Sequence, residues 1–121
     1  MSAVYSVQLK VKVEDEEKVA TELQRVATEL TLDNVPLEGT SDSWFRYYLA
    51  EQEGIKVTSW EENGFTYYDS DFNASYGWER VLIDGFTAIA PYLKNKSSLY
   101  ISIENDYDKF VIHNHKVIQK H

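Results

Sequence analysis

Asn63-Gly64 lies between two strand-like runs, residues 55–60 and 65–72. Both residues tolerate the positive φ that a type I′ turn demands, so the pair ties the two runs into an antiparallel hairpin. A chain with such a hairpin at its centre must place the rest of its apolar pattern around a sheet. Upstream, Tyr5, Val7, Leu9, Val11 and Val13 alternate with polar Gln8, Lys10 and Lys12, the signature of a half-buried strand over residues 4–13. The acidic run Glu14-Asp15-Glu16-Glu17 suits the unpaired amides of a helix start, and Val19, Leu23, Val26 and Leu30 follow at helical spacing. That run is therefore read as a helix N-terminus and not as a metal or partner site.

Pro36 and Gly39 mark residues 31–40 as a loop, after which Ser41-Asp42-Ser43 caps a second helix. In that helix Trp44 pairs with Tyr48 and Phe45 with Leu49 at i,i+4, and Gly54 stops it. Beyond the central hairpin a polar connector over residues 69–77 leads to a third helix over residues 78–93. Trp78, Val81, Leu82, Phe86, Ile89 and Leu93 lie along one side of it. Pro91 near its end predicts a distorted last turn or an early stop, and Gly85 inside it permits close approach of a strand. Leu99, Ile101 and Ile103 then alternate, Asn105-Asp106 turns the chain into Phe110-Val111-Ile112, and Val117-Ile118 offers a short last strand. The order β-α-α-β-β-α-β-β, with one further strand possible, predicts a single α+β domain over residues 1–121. Its sheet is mainly antiparallel with the helices on one face. A ferredoxin-like arrangement is the nearest alternative, but its simplest form has fewer strand pairs.

The charge of the chain narrows its partners. With 20 acidic against 12 basic side chains the formal charge is -8, which repels nucleic-acid phosphates and anionic lipid and favours a basic protein partner. There is no cysteine, which excludes disulfides, thiolate nucleophiles and cysteine metal sites together. The start Met1-Ser2-Ala3-Val4-Tyr5 has neither a basic n-region nor an apolar h-region, and no stretch approaches the ~18 uninterrupted apolar residues of a membrane span. The expected location is the cytoplasm.

Catalytic constellations are weak. His113 and His115 would share a strand face, with Asp106 or Asp108 available to complete a His/carboxylate metal site. Asn114 between them reads better as a turn residue. Asp69 and Asp71 are spaced i,i+2, but no further calcium-loop ligands follow at the required spacing. No serine sits in a Gly-x-Ser-x-Gly elbow and no Gly-rich phosphate loop is present, so neither a catalytic activity nor a cofactor is expected.

The densest signal is residues 44–92, which hold 13 of the 17 aromatic residues beside eight carboxylates and three basic side chains. Aromatics supply contact area at low conformational cost and acids steer a basic partner. Trp44, Phe45, Trp60, Trp78 and Phe86 are expected to build the core. Glu61, Glu62, Tyr67, Tyr68, Asp69, Asp71, Tyr76 and Glu79 are expected to form an amphipathic, negatively charged rim that contacts the partner.

Ser75-Tyr76-Gly77-Trp78-Glu79, followed by Phe86, Ala90-Pro91-Tyr92-Leu93, Ser98-Leu99-Tyr100-Ile101 and Asp106-Tyr107, resembles a pattern of small acidic bacterial proteins. Among them are proteins similar to the immunity proteins of polymorphic or contact-dependent toxin systems. The resemblance covers the C-terminal third to half of the chain, and its motifs are structural. It implies an inhibitor that masks a basic toxin or nuclease surface, with acids standing where phosphates would lie, and it assigns no residue roles. Two alternatives differ in kind. A small-ligand or metal-dependent hydrolytic protein would hold a closed pocket around Trp44, Trp60 and Trp78, with a perturbed carboxylate or His113 inside. A self-associating protein, a homodimer and not a monomer, would pair through an exposed edge of residues 110–112 or through the Tyr-rich hairpin.

Overall fold

Alternation decides the layout of the sheet. The computed structural model describes residues 2–30, 41–49, 55–75, 78–103 and 106–120. The first strand, β1 (Ser2–Lys12), buries Ala3, Tyr5, Val7, Leu9 and Val11 and leaves Val4, Gln8 and Lys12 exposed. Val13, expected as the last inward residue of that strand, begins a 3-10 turn (Val13–Asp15) and is 39% exposed. The acidic run then leads into α1 (Glu16–Glu29), which buries Val19, Ala20, Leu23, Val26 and Ala27. The second helix is α2 (Ser41–Tyr48), the hairpin is β2 (Thr58–Glu62) and β3 (Phe65–Ser75), and the third helix is α3 (Trp78–Ile89). A 3-10 turn (Ala90–Tyr92) follows α3, as Pro91 requires, and leads on to β4 (Ser98–Ile103), β5 (Asp106–His113) and β6 (Lys116–Lys120).

The six strands form one fully antiparallel sheet in the order β2-β3-β1-β4-β5-β6. The expected α+β order is therefore present, with the short last strand extended to five residues. Asn63 and Gly64 take φ of 53° and 81°, the type I′ geometry. A second turn of this kind joins β5 to β6, with Asn114 and His115 at φ of 51° and 63°. The expected loop over residues 31–40, the stop at Gly54 and the turn residue Asn105 lie outside the described residues.

The core lies between the helices and one face of the sheet. Register brings Tyr5 beside Phe72 and Ile101, Leu9 beside Tyr68, and Leu99 beside Phe110, all of them buried. Gly85 does admit a close neighbour, but the neighbour is Tyr48 of α2 and not a strand: a Cβ there would overlap the tyrosine ring. The Tyr48 hydroxyl donates to the Leu82 carbonyl at 2.5 Å, which locks α2 against α3, and burial pushes its pKa far above the usual phenol range. Among the described residues nothing comparable covers the other face of the sheet.

Candidate functional site

The uncovered face is where the hairpin presents its side chains. Strand periodicity sends Phe65, Tyr67, Asp69, Asp71 and Asn73 of β3 outward, and it sends Thr66, Tyr68, Ser70 and Phe72 toward the helices. On β2, Trp60 pairs across the ladder with Tyr67, Thr58 with Asp69 and Glu62 with Phe65. Arg46 of α2 holds this edge strand from behind, donating from Nη2 to Ser59 Oγ at 2.9 Å and from Nη1 to the Val57 carbonyl at 3.4 Å.

Trp60 and Tyr67 stack with ring centroids 5.2 Å apart and an interplanar angle of 2°, and Trp60 is 44% exposed. Trp60 is thus a surface residue and not the expected core residue, because its position in β2 puts it on the outward side. Beside the pair, Gln8, Lys10, Trp60, Tyr67 and Asp69 line a cleft of about 220 Å³. The Asp69 Oδ1 atom is shielded from solvent there and has no hydrogen-bond partner. Burial pushes the Asp69 carboxyl above its ordinary range and Asp71 pushes the same way, while the Ser70 backbone N–H draws it back. A half-buried carboxylate next to an exposed indole is a place where a cation meeting its accessible side gains both a charge-assisted hydrogen bond and a π-face. No protein-family model, curated protein or solved structure matches this chain.

The expected rim residues divide between two faces. Tyr67, Asp69, Asp71 and Glu62 come together on the open face. Glu61 is exposed on the opposite side of β2, in register with Thr66. Tyr68 is a core residue and not part of the rim: it is 3% exposed and stacks on Phe45 at 4.4 Å, deep under the helices, because neighbours in a strand cannot share a face. Glu79 lies on the helix side as well, where its Oε2 accepts a hydrogen bond from the buried Tyr5 hydroxyl at 2.9 Å. Tyr76 and the side chains of Trp44 and Trp78 lie outside the description, and Trp60 stands on the outward face of the sheet.

Histidine chemistry gains no framework. His113 faces outward on β5 and His115 is in the turn, while Asp106 and Asp108 lie in register with Ile103 and Ile101 on the helix side. Among the described residues no three His, Asp or Glu side chains gather closely enough to share a metal ion. A larger cleft of about 360 Å³ opens at the strand ends, where Lys94 sits 4.5 Å over the Phe65 ring near Lys12, Asp15 and His115. Its charges are of mixed sign and it holds no orphaned polar atom. Gln8 and Lys10, which complete the Trp60 cleft, gave no sequence signal beyond being the polar half of an alternating strand.

Proposed function

We propose that this chain is an acidic protein-binding module of the immunity type, which masks a basic toxin or nuclease surface with the outward side of its β2–β3 ribbon. The observation that carries the reading is the half-buried Asp69 carboxylate beside the exposed Trp60–Tyr67 stack. A partner's lysine or arginine would satisfy the carboxylate, and the aromatic pair would exclude water around that contact. Asp71 and Glu62 on the same side, within a chain of charge -8, supply the long-range attraction that brings such a partner in. On this reading the chain works by binding and not by catalysis, in the cytoplasm, and needs no cofactor. No helix among the described residues is long and apolar enough to cross a membrane.

The test is retention of a basic protein from lysate of the source cell by three baits: the natural chain, Trp60→Ala and Asp69→Asn. Retention at low salt by the natural chain, with roughly thirtyfold weaker binding by Trp60→Ala and a salt-sensitive association rate, is expected. The captured protein should be inhibited when bound. Equal retention by all three baits, or capture without inhibition, would remove the masking role from this surface.

A further inference from the structure

Five large apolar side chains stand out as exposed among the described residues: Val4, Val13, Trp60, Tyr107 and Ile118. Register places four of them on the uncovered face of the sheet, all but Val13. Four such groups on one face form a patch of the kind that marks an interaction surface. The charges on the same face are divided. Glu62, Asp69 and Asp71 stand on β2 and β3 and Lys10 and Lys12 on the central β1, whereas Lys109, Lys116 and Lys120 stand on β5 and β6, in register with Tyr100, His113 and Lys109 respectively. Among the described residues, none of Asp71, Lys109, Lys116 or Lys120 enters an ion pair. The face is therefore acidic along one flank and basic along the other, with unpaired charges on both.

We propose that a second copy of this chain covers this face, the two sheets packing against each other about a twofold axis that runs parallel to the strands between β1 and β4. In the strand order β2-β3-β1-β4-β5-β6 this axis lays β3 over β5 of the second copy and β2 over its β6. Following the register across the sheet, Asp71 then meets Lys109 of the second copy, Tyr67 meets its His113, and Trp60 meets its Lys116. A twofold axis perpendicular to the strands would instead stack acid on acid and base on base, which like-charge repulsion opposes. The charge division thus selects one geometry from the two that an aligned face-to-face pair allows. Aligned sheet packing, with the strand directions within about 30° of each other, suits a face whose side chains alternate in this way. Six strands spaced about 4.8 Å apart present a face roughly 24 Å wide and 20 Å tall, and with side-chain relief the buried area approaches the ~800 Å² per partner of a standard interface. A second copy and a basic partner would compete for Trp60 and Asp71, but the pairing stands without any such partner.

Sedimentation of the full chain over a roughly hundredfold range of concentration at low salt tests the pairing. A monomer–dimer equilibrium is expected, with Asp71→Lys and Lys109→Asp each weakening the dimer at least about tenfold and the double variant D71K/K109D restoring it. The geometry is read separately. Because the chain has no cysteine, D71C and K109C variants mixed with a bismaleimide spanning about one 10 Å sheet spacing should link to each other, and D71C alone should not link to itself. A chain that stays monomeric at the highest concentration, a dimer indifferent to both charge reversals, or efficient linking of D71C to itself would each overturn the proposal. Both sites are on exposed strand positions, so circular dichroism will show that the variants are folded.

Discussion

A methyl group added at Gly85 would drive into the Tyr48 ring, with the Cδ1 atom at 3.0 Å and Cε1 closer still. Alanine favours a helix by ~1 kcal/mol over glycine, yet overpacking a core costs ~1–3 kcal/mol, and here the ring is anchored by its bond to Leu82. Gly85→Ala should therefore lower the urea midpoint, and a gain in stability would show that α2 and α3 can separate cheaply. The Ser70 hydroxyl presents the reverse case. It is buried on the helix side with no hydrogen-bond partner, so Ser70→Ala removes a desolvated polar group and should stabilise the fold by about 1 kcal/mol, measured as the same midpoint. Asp69, next to it in the chain, adds a pH dependence. A carboxyl whose folded pKa lies above its unfolded one binds protons more readily in the folded state, so its contribution falls as pH rises through that interval. Asp69→Asn should accordingly be more stable than the natural chain at neutral pH, with the advantage shrinking on acidification through the carboxylate range; an advantage that grows on acidification would contradict the cause assigned to the shift. At this scale the sequence shows Tyr67 and Tyr68 as equals, and only the pairing with β1 decides that one faces solvent and the other Phe45. Trp60 is opaque for a related reason: an apolar side chain announces burial, and its outward position depends on the phase of a strand whose other members are mostly polar.

Elements were legible wherever a backbone constraint was written into a residue. Asn63-Gly64 defines its hairpin, and Pro91 converts the end of the third helix into a 3-10 turn. The turn at Asn114 and His115 has the same positive-φ geometry, but histidine is a less telling residue there than glycine, and the strand after it was visible only as Val117-Ile118. Residues 110–112, expected as an exposed edge for self-association, are paired on both sides, with β4 and with β6. The two tight turns also separate the reasons for which glycine is needed. A Cβ at Gly64 would meet nothing within 4 Å, so Gly64→Ala is strained only by its φ of 81°. It should cost ~1 kcal/mol, about the left-handed penalty for an L-residue, and Gly64→Asn should recover most of it. Equal costs for the two substitutions would mean that something other than backbone conformation limits the turn.

For the whole molecule, strand order is what the sequence withheld. The antiparallel hairpins are local, but inserting β1 between β3 and β4 joins residues some fifty to a hundred positions apart, and no turn residue records that choice. The division of charge across the open face is hidden for the same reason, because Asp71 and Lys109 become opposite flanks of one surface only when β1 and β4 lie between them. The same order predicts how stability is distributed. β1 is paired on both sides along its centre, its inward side chains are almost wholly buried, and Lys94 and Ser97 add bonds to its Lys10 backbone at 2.9 and 3.0 Å. β6 is paired only with β5 and is exposed at four of its five residues. Amides at Val7 and Leu9 should therefore exchange with solvent only through global unfolding, whereas those of β6 should open locally at a free energy at least about 2 kcal/mol lower. Native-state hydrogen exchange in dilute solution reads both in one experiment. Equal protection in the two strands would mean that the sheet opens as a single cooperative unit, and the edge would then owe its stability to something beyond the contacts of β6 with its one neighbour.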